Sequence, residues 1–509
     1  MKHRRPLLTA GAAIALTALV TGCAGASESQ TPEDAAERLT IVLDTDANSF
    51  DPPDVGDNPR SQFLQPVYDT LTELQPDASV GPRLATEWEY ADESRTLLRM
   101  TLRDDVVFSD GTPFDSEVVK ANLEHFLAGT GPAVRNVSVI TGITAADPTT
   151  VELQLSAPNP ALLRYLGQTA GMMVSPSVLD AESLDTTPVG SGPYLLDDST
   201  VAGSQYVYTR NPDYCDADAY PYESIQITPI VDITARTSAL RTGQGNTGRI
   251  TTKVAAEAES GGLDVAYFPS GDVMGVDLFD RAGALSPALA DPRVRQALNH
   301  AIDRDAIVKA LFDGRGTPTT QVFNPDSSAW STDLDDAYPY DPERARELLA
   351  EAGHSDDVVI QIPEYSGISD LLAALIQQLG DVGVTVEPVK VPDPQANTEM
   401  RSGKYPAALV QLQSNDPWQT IQLMLEPDSA WNALQSTAPE LTDAVAAAQT
   451  ATGDDRDEAY AAVNEYVVDQ AWFLPIVFVD TVWATDSSTE LTPYTYSVIP
   501  PIEAYAPKA

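Results

Sequence analysis

Between residues 341 and 391 the chain alternates helix, strand, helix and strand, and these elements are marked by clear start and stop signals. Asp341-Pro342-Glu343 supplies an N-cap with proline at the first helical position; Ala345, Leu348, Leu349 and Ala352 follow at helical spacing, and Gly353 marks the end. Val358 to Ile362 and Val384 to Val391 read as strands on either side of a helix from about Ser369 to Leu379. A strand–helix–strand unit brings its strands side by side with the helix as crossover, so the fold class is α/β with mixed or parallel sheets and flanking helices. Asp291-Pro292 repeats the capping device before Val294, Leu298, Ala301 and Ile302. Earlier, Leu39 to Leu43 reads as a buried strand running into a polar loop that ends at Pro52-Pro53. Leu98, Met100 and Leu102 alternate, as do Val151, Leu153 and Leu155, and Asp115 caps a helix carrying Val118, Val119, Asn122, Leu123 and Phe126.

The N-terminus constrains where this fold operates. Lys2, Arg4 and Arg5 precede an apolar run from Pro6 to Val20, too short for a comfortable membrane span and laid out like a secretory signal. Thr21-Gly22-Cys23 then resembles the lipobox of bacterial lipoproteins, which implies that Cys23 is diacylated and begins the mature chain after a signal peptide of residues 1–22. Residues 23–38 have the composition of a flexible tether. No later run is apolar and long enough to span, so the expected location is the outer face of the bacterial cytoplasmic membrane, anchored by lipid. The second cysteine, Cys215, is expected to be a free, inert thiol. The formal net charge is −45, and losing the three basic signal residues takes it to −48. Such a polyanion repels phosphate backbones, which excludes a general nucleic-acid binder.

Catalytic and cofactor patterns are thin. Gly243-Gln-Gly-Asn-Thr-Gly248 matches a dinucleotide string but follows a helix where a strand is required, and Arg249-Ile250 stand where a P-loop needs Lys and Ser/Thr. The histidines are scattered, and no zinc, calcium or nucleophile-elbow motif occurs, so no metal and no cofactor are expected.

Seven segments occur in order: Tyr68 to Leu74, Gly81-Pro-Arg-Leu-Ala-Thr-Glu-Trp88, Leu102 to Phe114, Val189-Gly-Ser-Gly-Pro-Tyr194, Arg210-Asn-Pro-Asp-Tyr214, Asp291 to Asp303 and Tyr340 to Gly353. Together they resemble the family 5 extracellular solute-binding proteins of ABC importers, the group of dipeptide, oligopeptide and nickel binders. The resemblance implies a two-lobed periplasmic-binding-protein-like fold, type II, with an extra inserted domain. Mapped here, lobe I is 39–75, 188–270 and 483–509, the inserted domain is 76–187, and lobe II is 271–482. It further implies a non-catalytic monomer that holds a short peptide or other small organic molecule between its lobes and delivers it to a membrane permease. The competing reading is a surface-tethered extracellular hydrolase.

Carried across residue by residue, the resemblance implies ligand contacts from Asp46, Ala47, Asn48 and Ser49 after the first strand. It adds Asp272, Val273 and Met274 at the crossing into lobe II, then Gln411, Gln413, Ser414, Asn415 and Trp418, with Tyr365 after another strand. One position departs from the family pattern. Peptide binders usually place Asp three residues before the Asp/Glu-Pro pair, to hold the ligand's α-amine; here the pair is Asp416-Pro417 and Gln413 stands at that place. A neutral amide does not neutralise an ammonium in a desolvated cleft, so a free-amine peptide is the poorer candidate. The family's "G-x-x-D" near 240 is also altered, with Asn246 and Gly248 present instead.

Overall fold

A computed structural model describes residues 38–57, 59–494 and 499–508. The expected signal, lipidation site and most of the tether lie outside the described residues.

The largest sheet among the described residues has nine strands and mixed polarity. The first strand, Arg38–Leu43, pairs in parallel with Ser224–Pro229 on one side and with Thr247–Ile250 on the other. Its run of aliphatic residues is fully buried because both faces are covered. Two long strands, Asp264–Asp277 and Phe473–Thr485, then carry the sheet onward as an antiparallel ribbon. At one end of that ribbon Val482 to Thr485 also pairs with Thr247–Ile250; at the other end Asp272 to Asp277 pairs with Ala408–Gln413. The ladder breaks register between Pro269 and Asp272. Gly271 sits in that break at φ +70°, and a Cβ there would lie 2.3 Å from Asn415 Oδ1 and 2.8 Å from Asn324 Nδ2. Only glycine meets both demands.

A separate antiparallel sheet takes the order Ala85–Tyr90, Leu97–Leu102, Thr150–Leu155, Ile140–Asp147. Its alternating Leu98, Met100, Leu102, Val151, Leu153 and Leu155 are all buried, as their period of two predicts. The helix Ser116–Ala128 covers this face; Asp115 caps it by accepting from Val118 N–H at 3.1 Å, worth about 1 kcal/mol. The strand–helix–strand unit forms a parallel pair of its own, Val358–Glu364 with Val384–Lys390, joined by the helix Ser369–Gly380. It shares a core with Pro292–His300 and Pro342–Glu351, whose caps Asp291 and Asp341 accept from Arg293 and Arg344 N–H at 2.9 and 2.8 Å.

The dinucleotide-like string is structural. A Cβ on Gly248 would meet Val42 Cγ2 at 2.5 Å, so glycine lets the strand Thr247–Ile250 lie against the first strand. Asn246 accepts from Thr40 N–H at 2.7 Å and donates to Asp486 at 2.8 Å, clamping that strand to a distant turn.

Candidate functional site

A cavity of about 160 Å³ is walled by segments far apart in sequence. They are residues between 57 and 83, the turn 164–172, Tyr220, Gln413 at the end of the strand Ala408–Gln413 with Asn415 just beyond it, and Tyr494, Ile499, Pro501 and Glu503. A dry engineered cavity of about 150 Å³ admits benzene, so a small organic group fits here without further opening.

Arg83 forms part of the wall and is heavily engaged. It donates to Asp69 at 3.0 Å, Glu73 at 2.7 Å, and the hydroxyls of Tyr214 and Tyr220 at 2.8 and 2.6 Å. Asp69 is held in turn by Tyr214 at 2.9 Å and Ser191 at 3.1 Å. Glu503, beside this network, has its pKa pushed up by burial, against the pull of Arg83. On the opposite wall Asp57 accepts the N–H and the hydroxyl of Thr169 at 3.0 and 2.7 Å. Burial raises the Asp57 pKa, while the Thr169 bonds and the charge of Arg164 oppose the rise.

Arg164 belongs to a short helix, Leu162–Tyr165, started by Asn159 Oδ1 accepting from Ala161 N–H at 3.0 Å. Leu162, Tyr165 and Leu166 are drawn into the core, and the arginine stem goes in with them. Amide groups complete the lining. Gln65 Oε1, Gln168 Oε1 and Asn415 Oδ1 are buried without a hydrogen-bond partner. These are acceptors as the amides are oriented, and an amide flip turns each into a donor.

Of the expected ligand residues, Gln413 and Asn415 line the cavity. Ser414, between them, turns inward: its N–H donates to Gly271 O at 2.8 Å and its hydroxyl meets Thr420 at 2.8 Å. Asp46 and Ala47 accept from Tyr206 OH at 2.7 and 3.3 Å, Ser49 donates to Asp185 at 2.5 Å, and Asn48 is exposed; this turn lies away from the cavity lining. Asp272 is buried opposite Gln413 in the ladder. Gln411 donates to its Oδ2 at 2.9 Å while its Oδ1 has no partner, and burial raises its pKa. Val273 is buried and Met274 half-buried within the strand, and Gln411 is otherwise exposed. Tyr365 is half-buried between two apolar cores.

Trp418, expected against the ligand, is 1 % exposed and packs in the apolar core. The polar neighbour Asp416 is its helix cap, accepting from Trp418 and Gln419 N–H at 2.8 and 3.1 Å, so the ring turns inward with Ile421 and Met424. Arg164, Gln65 and Gln168 were not among the expected residues. The available signal was a lone arginine inside the apolar run Ala161 to Leu166.

Residues 79–432 match the family model "Bacterial extracellular solute-binding proteins, family 5 Middle". The chain belongs to this family. It is 30% identical over 397 residues to the glutathione-binding protein GsiB of Escherichia coli O1:K1 / APEC, covering 76% of this chain and 73% of that one. Among solved structures, NikA from Brucella suis in complex with Fe(III)-EDTA matches with TM-score 0.80 at 23% identity, covering 92% of this chain and all of that one. DppA from Helicobacter pylori in complex with peptide STSA matches with TM-score 0.79 at 18% identity, covering 94% and 100%. The fold is thus the mixed α/β fold of periplasmic binding proteins. The family 5 protein is an extracytoplasmic solute receptor of an ABC importer, a non-catalytic transport component, and this displaces the hydrolase reading.

Proposed function

We propose that this family 5 protein captures a small peptide-like solute in the cavity beside Gln413 and Asn415, closes two lobes over it, and presents the closed form to its permease. The observation that carries the ligand class is the set of unpartnered amide groups of Gln65, Gln168 and Asn415 around one cavity. Such groups suit a ligand rich in amide N–H and C=O, and burying them unpaired is costly otherwise. The E. coli relative named for glutathione and the H. pylori neighbour carrying a peptide agree with this chemistry. In this reading lobe I is 39–75, 188–270 and 483–509, the inserted domain is 76–187, and lobe II is 271–482. The hinge is the ribbon near 268–275 and 478–484, where the ladder changes register. Calorimetry with glutathione, acylated and free dipeptides, Fe(III)-EDTA and sugars tests the ligand class. A peptide-like compound is expected to bind and to be recovered unchanged; binding confined to sugars overturns the reading.

The membrane attachment is part of the same proposal: a diacylated Cys23 with a short tether keeps the receptor beside its permease, as a monomer. Mass spectrometry of the N-terminal peptide from the membrane fraction is expected to find lipid on Cys23. C23A is expected to release the protein into the medium; retention of that variant on membranes argues against the anchor.

A further inference from the structure

Four arginines of the described chain are buried, and three of them donate several hydrogen bonds to carbonyls. Arg236 donates to the carbonyls of Arg249, Ile230 and Val231. Arg295 donates to Leu289, Ala290 and Gln470 carbonyls, and Arg304 to those of Thr319, Pro475, Asn299 and Tyr338 as well as Asn299 Oδ1. None of the four has a carboxylate within 4.0 Å among the described residues, but Arg164 is the exception in its hydrogen bonding: it is 6 % exposed and its buried Nε has no partner. Arg164 lines the cavity.

Leaving a buried donor of a permanently charged group without an acceptor is costly for a fold to retain. Asp57, whose charge interacts with Arg164, commits its Oδ1 to Thr169 and forms no ion pair with the arginine. Water in the cavity can satisfy N–H groups but brings no opposing charge. A carboxylate does both, because its two oxygens match the guanidinium fork.

We infer that Arg164 is the anion anchor of the cavity, and that the solute is a small carboxylate whose amide groups meet Gln65, Gln168 and Asn415. This deepens the proposed peptide-like ligand class and rests on it. Arg83 is poorly placed to share the role, since its charge is already paired with Asp69 and Glu73 and four of its five N–H donors are in use.

The test uses matched probes: glutathione, N-acetylglycylglycine and N-acetyldialanine, each beside its C-terminal carboxamide (for glutathione, the glycine amide), titrated calorimetrically into the full mature chain. At least one carboxylate is expected to bind roughly ten- to a hundredfold more tightly than its amide, the span of a charge-assisted hydrogen bond. R164Q is expected to lower affinity for the carboxylate by a similar factor and leave the amide nearly unchanged. R164K, which keeps the charge without the fork, is expected to retain part of the preference and guards against misreading a misfolded R164Q. Equal binding of carboxylate and amide, or a preference that survives R164Q, overturns the anchor assignment while the receptor reading stands. Binding of none of the six probes overturns both.

Discussion

The Tyr165 hydroxyl donates to Gln422 Oε1 at 2.9 Å, joining the turn beside the cavity to the helix Pro417–Met424 on its far side. Arg135 reinforces this junction by donating to Asp428 O at 2.7 Å, and Gln449 by donating to Pro158 O at 3.0 Å. In the proposed closure, Y165F removes one bond from the closed form and strands the Gln422 oxygen. The expected cost to closure is about 1 kcal/mol, roughly a fivefold weakening of solute binding seen mainly as faster dissociation. Stopped-flow fluorescence checks this; an unchanged dissociation rate removes Tyr165 from the closure contacts.

Gly271 combines positive φ with a close approach to Asn415, whereas Gly314, at φ +75°, has open space around its missing Cβ. G314A therefore reports backbone strain alone, and G271A reports strain plus collision. We expect G271A to cost about 1–3 kcal/mol more than G314A in chemical denaturation, and to weaken solute binding by displacing Asn415. Equal losses for the two variants contradict the packing argument.

Asp272 has its pKa raised by burial, with Gln411 and Arg249 pulling it back. A carboxyl whose folded pKa lies above its unfolded one contributes stability below the unfolded pKa and loses it as pH rises through the folded pKa. D272N, which does not ionise, should thus gain stability over the natural chain at pH 7.5 and lose that advantage towards pH 4. Thermal midpoints at the two pH values decide it; a constant difference refutes the assignment.

Gln413 stands where peptide binders of this family carry an aspartate, and it lines the cavity. Q413D should create a preference for free-amine over N-acetylated dipeptides of roughly tenfold, because a carboxylate pairs with an ammonium where an amide only hydrogen-bonds. Calorimetry on matched pairs measures it. A strong amine preference already present in the natural chain contradicts the role given to Gln413.

Local punctuation was legible wherever a single stretch carries its own cap, stripe and stop. Asp291-Pro292, Asp341-Pro342 and the unit from Val358 to Lys390 all adopt the geometry their spacing predicts. The cavity was harder to read, since Asp57, Arg164 and Gln413 converge only after the chain has folded. No local pattern distinguishes the engaged Arg236 from the unengaged Arg164; the difference lies in which carbonyls the tertiary fold brings near. Trp418 misleads for the opposite reason. Its polar neighbours serve the helix cap, and they mask an apolar face formed by Trp418, Ile421 and Met424.

The ribbon of Asp264–Asp277 and Phe473–Thr485 has a mechanical consequence. Its strands are hydrogen-bonded to each other at both ends, so the proposed lobes cannot slide along it without breaking ladder bonds. The register break around Ser270 and Gly271, where the Ser270 hydroxyl rather than a ladder bond reaches Val479 O at 2.6 Å, is the compliant point of the proposed hinge, like the thinned section of a leaf spring. In the proposed two-lobed reading, bending there would leave one dominant coordinate between open and closed and let a permease sense an enclosed solute as a single angle, whatever the solute's shape.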